Sequence, residues 1–464
     1  MKKALLLLHL ILLLFLLNSC SSVQKIELMK PEPDNATAVI FPVTSSYISF
    51  PVNLSIQDIE KQTNKTIVDV IYEDYNLEDD NTQMKIWKQA PILMTEDNSK
   101  LKSVIPLKIW VKIKYGTSAL GMDLYDTKEF NLNGIITLLS DVRMTNWKIN
   151  TQTQLIDFYW NESPSITIAG KQIAITYLIN STIKLFRNKI EKTIDESLNK
   201  TLDFKTNILE LVQKASQPIQ LSTTYQTWLK IVPQELYTTQ SIIEKKAIRL
   251  NVGLKCLMES FIGTKPNTEF DKAKIILKSA TTLPDKINAN IAAVSTYQDA
   301  SRIMTANFKG QTFGNEKRKV TVQNVEIWHK NSKMIIALDL IGSLNGKIYL
   351  SGFPQYNNQT KELYFDDLDY AIETKSKLIK TANWLAQSII LQKIRQSCRY
   401  SIEPNLEEGK KSILSYLTNY SPMQGIFVNG KLNSLTLEKI QLTNTAIVAF
   451  LNITGNAKIS INGI

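Results

Sequence analysis

Histidine, cysteine and clustered carboxylates could give this chain acid–base, nucleophilic or metal chemistry, and all are sparse. Of the two histidines in 464 residues, His9 lies in an N-terminal apolar run, and His329 stands between Trp328 and Lys330 near an expected strand end. A single histidine outside that run excludes a multi-histidine metal site and leaves a Ser-His-Asp triad only through His329. No GxSxG elbow supplies its serine, so His329 reads as a surface residue. Asp366, Asp367 and Asp369, with Glu373 beyond, form the densest carboxylate cluster outside loops. Hard cations take such oxygens, but the glycine turn and ligand spacing of a calcium loop are missing. The alternation of Leu363, Phe365, Leu368 and Tyr370 instead places the cluster at a strand edge or turn, where charge discourages edge pairing. Phosphate-cradling glycine loops are also absent. The reading is non-enzymatic, with no cofactor and no metal.

Cys20 offers a different chemistry. Lys2 and Lys3 precede an apolar run from Ala4 to Leu17, the layout of a secretory signal and too short for the ~20 residues that span a bilayer. The run ends in Leu17-Asn18-Ser19-Cys20, which resembles the lipobox of bacterial lipoproteins, with Asn18 a departure. The resemblance implies removal of residues 1–19 and acylation of the Cys20 thiol. Each buried methylene contributes about 0.8 kcal/mol, so two or three chains would hold the protein on a membrane. Residues 20–35, with Pro31 and Pro33, read as a lipidated tether. Ser21 after the cysteine implies the outer membrane, with the body facing the periplasm. Cys256 and Cys398 are far apart and lack a CxxC spacing, so free buried thiols are favoured over a bridge.

The formal charge of +11 drops by two when Lys2 and Lys3 are removed. A basic balance favours anionic surfaces such as phospholipid headgroups. The basic residues never form a block, so nucleic acid is not an expected partner.

The elements that must position these residues read as one unit written twice. Gln57-Asp58 and Gln298-Asp299 each open a helical pattern; Leu107 to Trp110 pairs with Val325 to Trp328, and Leu132-Asn-Gly134 with Leu344-Asn-Gly346. The offset between copies falls along the chain, so the first has extra residues, mostly between Ile67 and Ser103. The expected division is 36–264 for the first unit, 265–282 for a linker and 283–464 for the second. Leu107, Ile109, Val111 and Ile113 alternate with polar residues, a half-buried antiparallel strand. Met334 to Leu340 is apolar on both faces and must be covered on both. Two long amphipathic helices are expected, Leu178 to Leu202 and Lys377 to Ser397. Ile179, Ile183, Phe186, Ile190, Ile194 and Leu198 stripe the first; Leu378, Ala382, Leu385 and Ile389 stripe the second.

With its lipobox and duplicated strand-helix plan, from about Phe41 to Ile464, the chain resembles the bacterial lipoprotein family described as domain of unknown function 4403. The motifs that carry this are Phe50-Pro-Val-Asn-Leu-Ser55 and Tyr297-Gln-Asp299. That family looks related to tubular lipid-binding proteins of the bactericidal/permeability-increasing group. The resemblance implies an α+β fold of two pseudo-repeated units, each a curved antiparallel sheet wrapped around one long helix. It also implies a phospholipid or other acyl-chain ligand lying along Ile179, Ile183, Phe186, Ile190, Ile194, Leu378, Ala382, Leu385 and Ile389. Closed core is the default reading of such stripes, and a lipid-free scaffold that binds protein or glycan is the alternative.

Overall fold

Branched and aromatic residues alternating with polar ones dominate the chain beyond residue 44, and they form strands. The computed structural model describes residues 23–34 and 44–461, apart from 120–121, 163–164, 169–170, 175, 224–225 and 268. The side chains of 117–119, 122–124, 166–168, 171–173, 176–186 and 201 also lie outside the description. Eight strands form the main path of a ten-stranded central sheet. They are β1 (Ser46–Ser55), β2 (Ile219–Ser222), β3 (Thr227–Thr238), β4 (Ala247–Ile262), β5 (Lys286–Thr296), β6 (Tyr420–Met423), β7 (Ile426–Leu442) and β8 (Ala446–Ile461). Their order is β2-β3-β4-β5-β1-β8-β7-β6.

At the centre β1 runs antiparallel to β4, with Ser55 opposite Ala247, and β5 runs antiparallel to β8, with Thr296 opposite Ala446. Farther along, Ser260 of β4 lies beside Ala293 in parallel register, and Ile459 of β8 lies beside Val52. The Tyr47–Asn288 pair joins β1 to β5 in the middle. Strands from both ends of the chain therefore share one continuous face.

Among the described residues eight α-helices accompany the strands: α1 (Ile56–Thr66), α2 (Thr176–Thr201), α3 (Phe204–Ala215), α4 (Tyr297–Phe308), α5 (Ile372–Thr381), α6 (Asn383–Ala386), α7 (Ser388–Ser397) and α8 (Glu403–Ser415). Two six-stranded sheets flank the centre. The first runs Val70–Asp74, Thr82–Lys88, Lys100–Ala119, Met122–Thr145, Lys148–Trp160, with Leu93–Asp97 alongside. The second runs Gln24–Ile26, Leu344–Gly352, Lys333–Gly342, Lys319–Lys330, Thr312–Gly314, with Asp369–Tyr370 beside Leu344–Gly352. The larger apolar core joins the first flanking sheet to the central one, and a second core fills the other flank.

This architecture overturns the expected fold class. The molecule is mostly β, with several sheets and mainly short helices, and no sheet wraps around one long helix. The expected second helix, Lys377 to Ser397, is three pieces, α5, α6 and α7. The Thr381 hydroxyl donates back to the Lys377 carbonyl at 2.8 Å, a bond that bends helices. Tyr370 donates to the Leu385 carbonyl at 2.8 Å, taking an acceptor that a continuing helix would use. Helix α2 is long, but it lies along a sheet edge. The backbone N–H groups of Thr151, Thr153 and Leu155 on the edge strand donate to Asn199 Oδ1 (3.0 Å), Asp195 Oδ2 (3.2 Å) and Glu191 Oε1 (2.6 Å). The helix thus satisfies an open edge with a row of side-chain acceptors.

One strand correspondence also changes. Counted from the edge strand Thr312–Gly314, Val325 to Trp328 lies in the second strand of its flanking sheet, whereas counted from the edge strand Val70–Asp74, Leu107 to Trp110 lies in the third strand of the other. The strand in the matching place is Thr82–Lys88, whose Lys85-Ile86-Trp87 repeats the pattern of Glu326-Ile327-Trp328.

Candidate functional site

The inner face of the central sheet is written by alternation. On β4, Ile248, Leu250, Val252, Leu254, Cys256 and Met258 turn inward and are buried. Bulges between Pro233 and Glu235 on β3 and between Leu432 and Ser434 on β7 bend the two sides of the sheet. Helices α3 and α8 lie over this face. Asp203 caps α3 by accepting from the Thr206 N–H at 3.3 Å, and Phe204, Ile208 and Val212 are its buried stripe. Helix α8 starts with a proline in its first turn and has no buried residue. It is tied to β2 where Ser412 donates to the Leu221 carbonyl at 2.8 Å.

Between sheet and helices lies a cavity of about 250 Å³. Its floor includes Leu236, Val252, Met258, Ala289, Ile453 and Ala457, and its roof Ile208, Leu211, Val212, Ile413 and Leu417. Ala289 lies opposite Ile453 of β8 and Ala457 opposite Gly430 of β7, and these small inward residues leave the room. Among all the lining residues only Lys214, Tyr416 and Tyr420 have polar side-chain atoms. Those three stand together with Pro422: the Lys214 ammonium donates to the Pro422 carbonyl at 3.0 Å, and the tyrosine rings meet edge to face at 5.1 Å. Lys214 is exposed, which marks this end as the mouth. A carbon-lined slot with one cationic, phenolic end suits an apolar chain with a polar head.

None of the described residues expected to line a lipid slot lines this cavity. Ile190 and Ile194, each 1% exposed, are packed in the larger core. Leu378, Ala382 and Leu385 are packed in the second core. Ile389 is 58% exposed, because the break at Gln387 turns Ile390 and Ile394 inward in its place. The side chains of Ile179, Ile183 and Phe186 lie outside the described residues, as does Cys20. Sequence reasoning passed over α3 and α8, although Ile208, Leu211, Val212 and Ile413, Tyr416, Leu417 repeat one helical spacing, and although Ala289 and Ala457 interrupt strands of branched residues.

The other candidates resolve individually. Among the described residues no cluster of three His, Cys, Asp or Glu side chains could hold a metal. Asp367 accepts from the Phe353 N–H (2.7 Å) and Lys333 (2.9 Å), and Asp369 pairs with Lys375 (3.1 Å). Cys256 and Cys398 are free and buried, and burial pushes both thiols up to about 12, which makes them inert.

His329 is not a surface residue: its side chain is 13% exposed and its Nδ1 lies 2.8 Å from Asp34 Oδ2. Asp34 comes from residues 23–34, which are docked and not a free tether. Gln24–Ile26 pairs in parallel with Leu344–Gly346. Trp328 donates to the Pro31 carbonyl at 2.9 Å, and Lys30 sits 4.7 Å above the Trp328 ring. Leu28 packs on Trp328, Ile335, Ala337 and Tyr349, covering the second face of the doubly apolar Met334 to Leu340 strand. Gly346 permits the approach, with φ of +134° and no Cβ to strike the Ile26 carbonyl.

The family model described as "Domain of unknown function (DUF4403)" matches residues 44–461. No curated protein matches the chain. A solved structure described as "Crystal structure of lipopolysaccharide binding protein" is similar to 92% of this chain and 100% of its own, at 12% identity and a TM-score of 0.28.

Proposed function

We propose that this chain, which belongs to the family described as domain of unknown function (DUF4403), is a membrane-anchored envelope lipoprotein that holds or shuttles an acyl-chain lipid without catalysing a reaction on it. The carbon-lined cavity under α3 and α8 carries the proposal. Its volume is below the ~300–1,000 Å³ of typical small-molecule pockets, so it takes part of one acyl chain and leaves the head at the mouth. There Lys214 has N–H donors beyond the one given to Pro422, and a carboxylate or phosphate would accept from them. The Lys2-Lys3 and apolar signal, ending at Cys20, supports the anchor, and Ser21 supports an outer-membrane site facing the periplasm.

The test is a titration of the mature chain with a fluorescent fatty acid. Each methylene excluded forfeits about 0.8 kcal/mol, so Ala289→Leu, which fills the floor, is expected to weaken binding roughly tenfold or more. Its unfolding midpoint should hold or rise, since filling a cavity tends to stabilise. Equal affinity in both chains, or no binding by the unchanged one, refutes the proposal.

A further inference from the structure

We infer that a basic cleft beside the N-terminal segment is a second lipid-contacting site, which seats the protein on the phosphate headgroups of an anionic bilayer. The cleft, about 680 Å³, opens at one end of the second flanking sheet. Lys317, Arg318 and Lys319 reach it from one turn, and Lys380 from the last turn of α5. All four are exposed, and none has an ion-pair partner among the described residues. The turn that presents them is rigid, because the Asn315 side chain accepts from the N–H groups of Lys317 (3.1 Å) and Arg318 (2.9 Å). Lys319 N–H donates to Ser343 Oγ at 3.1 Å. Backbone groups are thus occupied within the protein while the charged heads remain available.

Two further observations point to a membrane and not to a soluble anion. Val23 and Ile379, which both line the cleft, are 56% and 55% exposed, and Trp384 lines it too. Apolar and indole side chains ringed by cations suit the bilayer interface. The placement rests on the anchor in the reading above: Val23 is three residues from Cys20, so the chain can separate an acylated thiol from the cleft by at most roughly 11 Å. Because residues 23–34 are docked, an anchor there would hold the cleft against the headgroups.

The experiment uses the mature chain with Cys20→Ala, free of its own acyl groups, sedimented with phosphatidylcholine vesicles with or without phosphatidylglycerol. Each basic residue near an anionic surface contributes about 1 kcal/mol, or about fivefold. Lys317→Ala with Arg318→Ala should therefore weaken binding to the phosphatidylglycerol vesicles by roughly 25-fold. Lys65→Ala with Lys148→Ala, which removes equal charge elsewhere, should leave it unchanged, and raised salt should abolish it. Ala289→Leu should bind these vesicles normally, which separates this site from the acyl cavity. Equal losses in the two double variants, or indifference to phosphatidylglycerol, overturns the inference.

Discussion

Glu235 shows how much of this molecule's charge is structural. Its carboxylate accepts from Lys278 at 2.6 Å, from the Tyr237 hydroxyl, and from Lys255 at 3.0 Å, clamping the Ile276–Ser279 strand to β3 and β4. Those bonds, the one from Lys278 foremost, hold its pKa down to about 2. A carboxyl depressed on folding stabilises fully above its unfolded value near 4.5 and loses that contribution as pH falls through about 2. Thermal midpoints of the protein and of Glu235→Gln should therefore differ at neutral pH and converge near pH 2; a constant gap would refute the clamp. Such pairing was invisible in sequence, because Glu235, Lys255 and Lys278 come together only through strand register. Cys256 and Cys398 were legible as free buried thiols from their spacing. His329 was misread, because its partner Asp34 comes from a segment that looked like tether.

At the scale of elements, periodicity found the strands around Leu107 to Ile113 and Met334 to Leu340 and the existence of α2, and it failed on what α2 does. Glu191, Asp195 and Asn199 recur at intervals of four, a row that reads as a solvated face until an edge strand is laid beside it. Asp195 accepts from the hydroxyls of Thr151 (2.7 Å) and Thr153 (2.5 Å) as well as the Thr153 N–H (3.2 Å). Asp195→Ala leaves these donors without their acceptor and should cost about 1–3 kcal/mol, measured by denaturant unfolding. A change within about 0.5 kcal/mol, ordinary for surface substitutions, would show the edge contact to be incidental. The expected second helix broke for local reasons, Thr381 back-bonding and the Tyr370 bond, neither of which disturbs a hydrophobic stripe. Stripes of this kind report burial and not what is buried against them, which is why Ile190, Ile194, Leu378, Ala382 and Leu385 sit in packed core.

For the whole molecule, the order of parts matters more than any one of them. The docked residues 23–34 lie on one flanking sheet, the basic cleft opens beside them, and the carbon-lined cavity lies between α3, α8 and the central sheet that both ends of the chain build. The cavity was beyond sequence reading because its walls come from β1, β3, β4, β5, β7 and β8 together, an adjacency that only the crossed pairing of the central strands creates. The central claim is that this cavity holds an acyl chain, and mass spectrometry of organic extracts tests it most directly. Mature chain with Cys20→Ala, purified from envelopes without detergent, should release an acyl-chain lipid in near-stoichiometric amount, and Ala289→Leu should release far less. A well-folded, unchanged chain that yields no lipid would contradict the account.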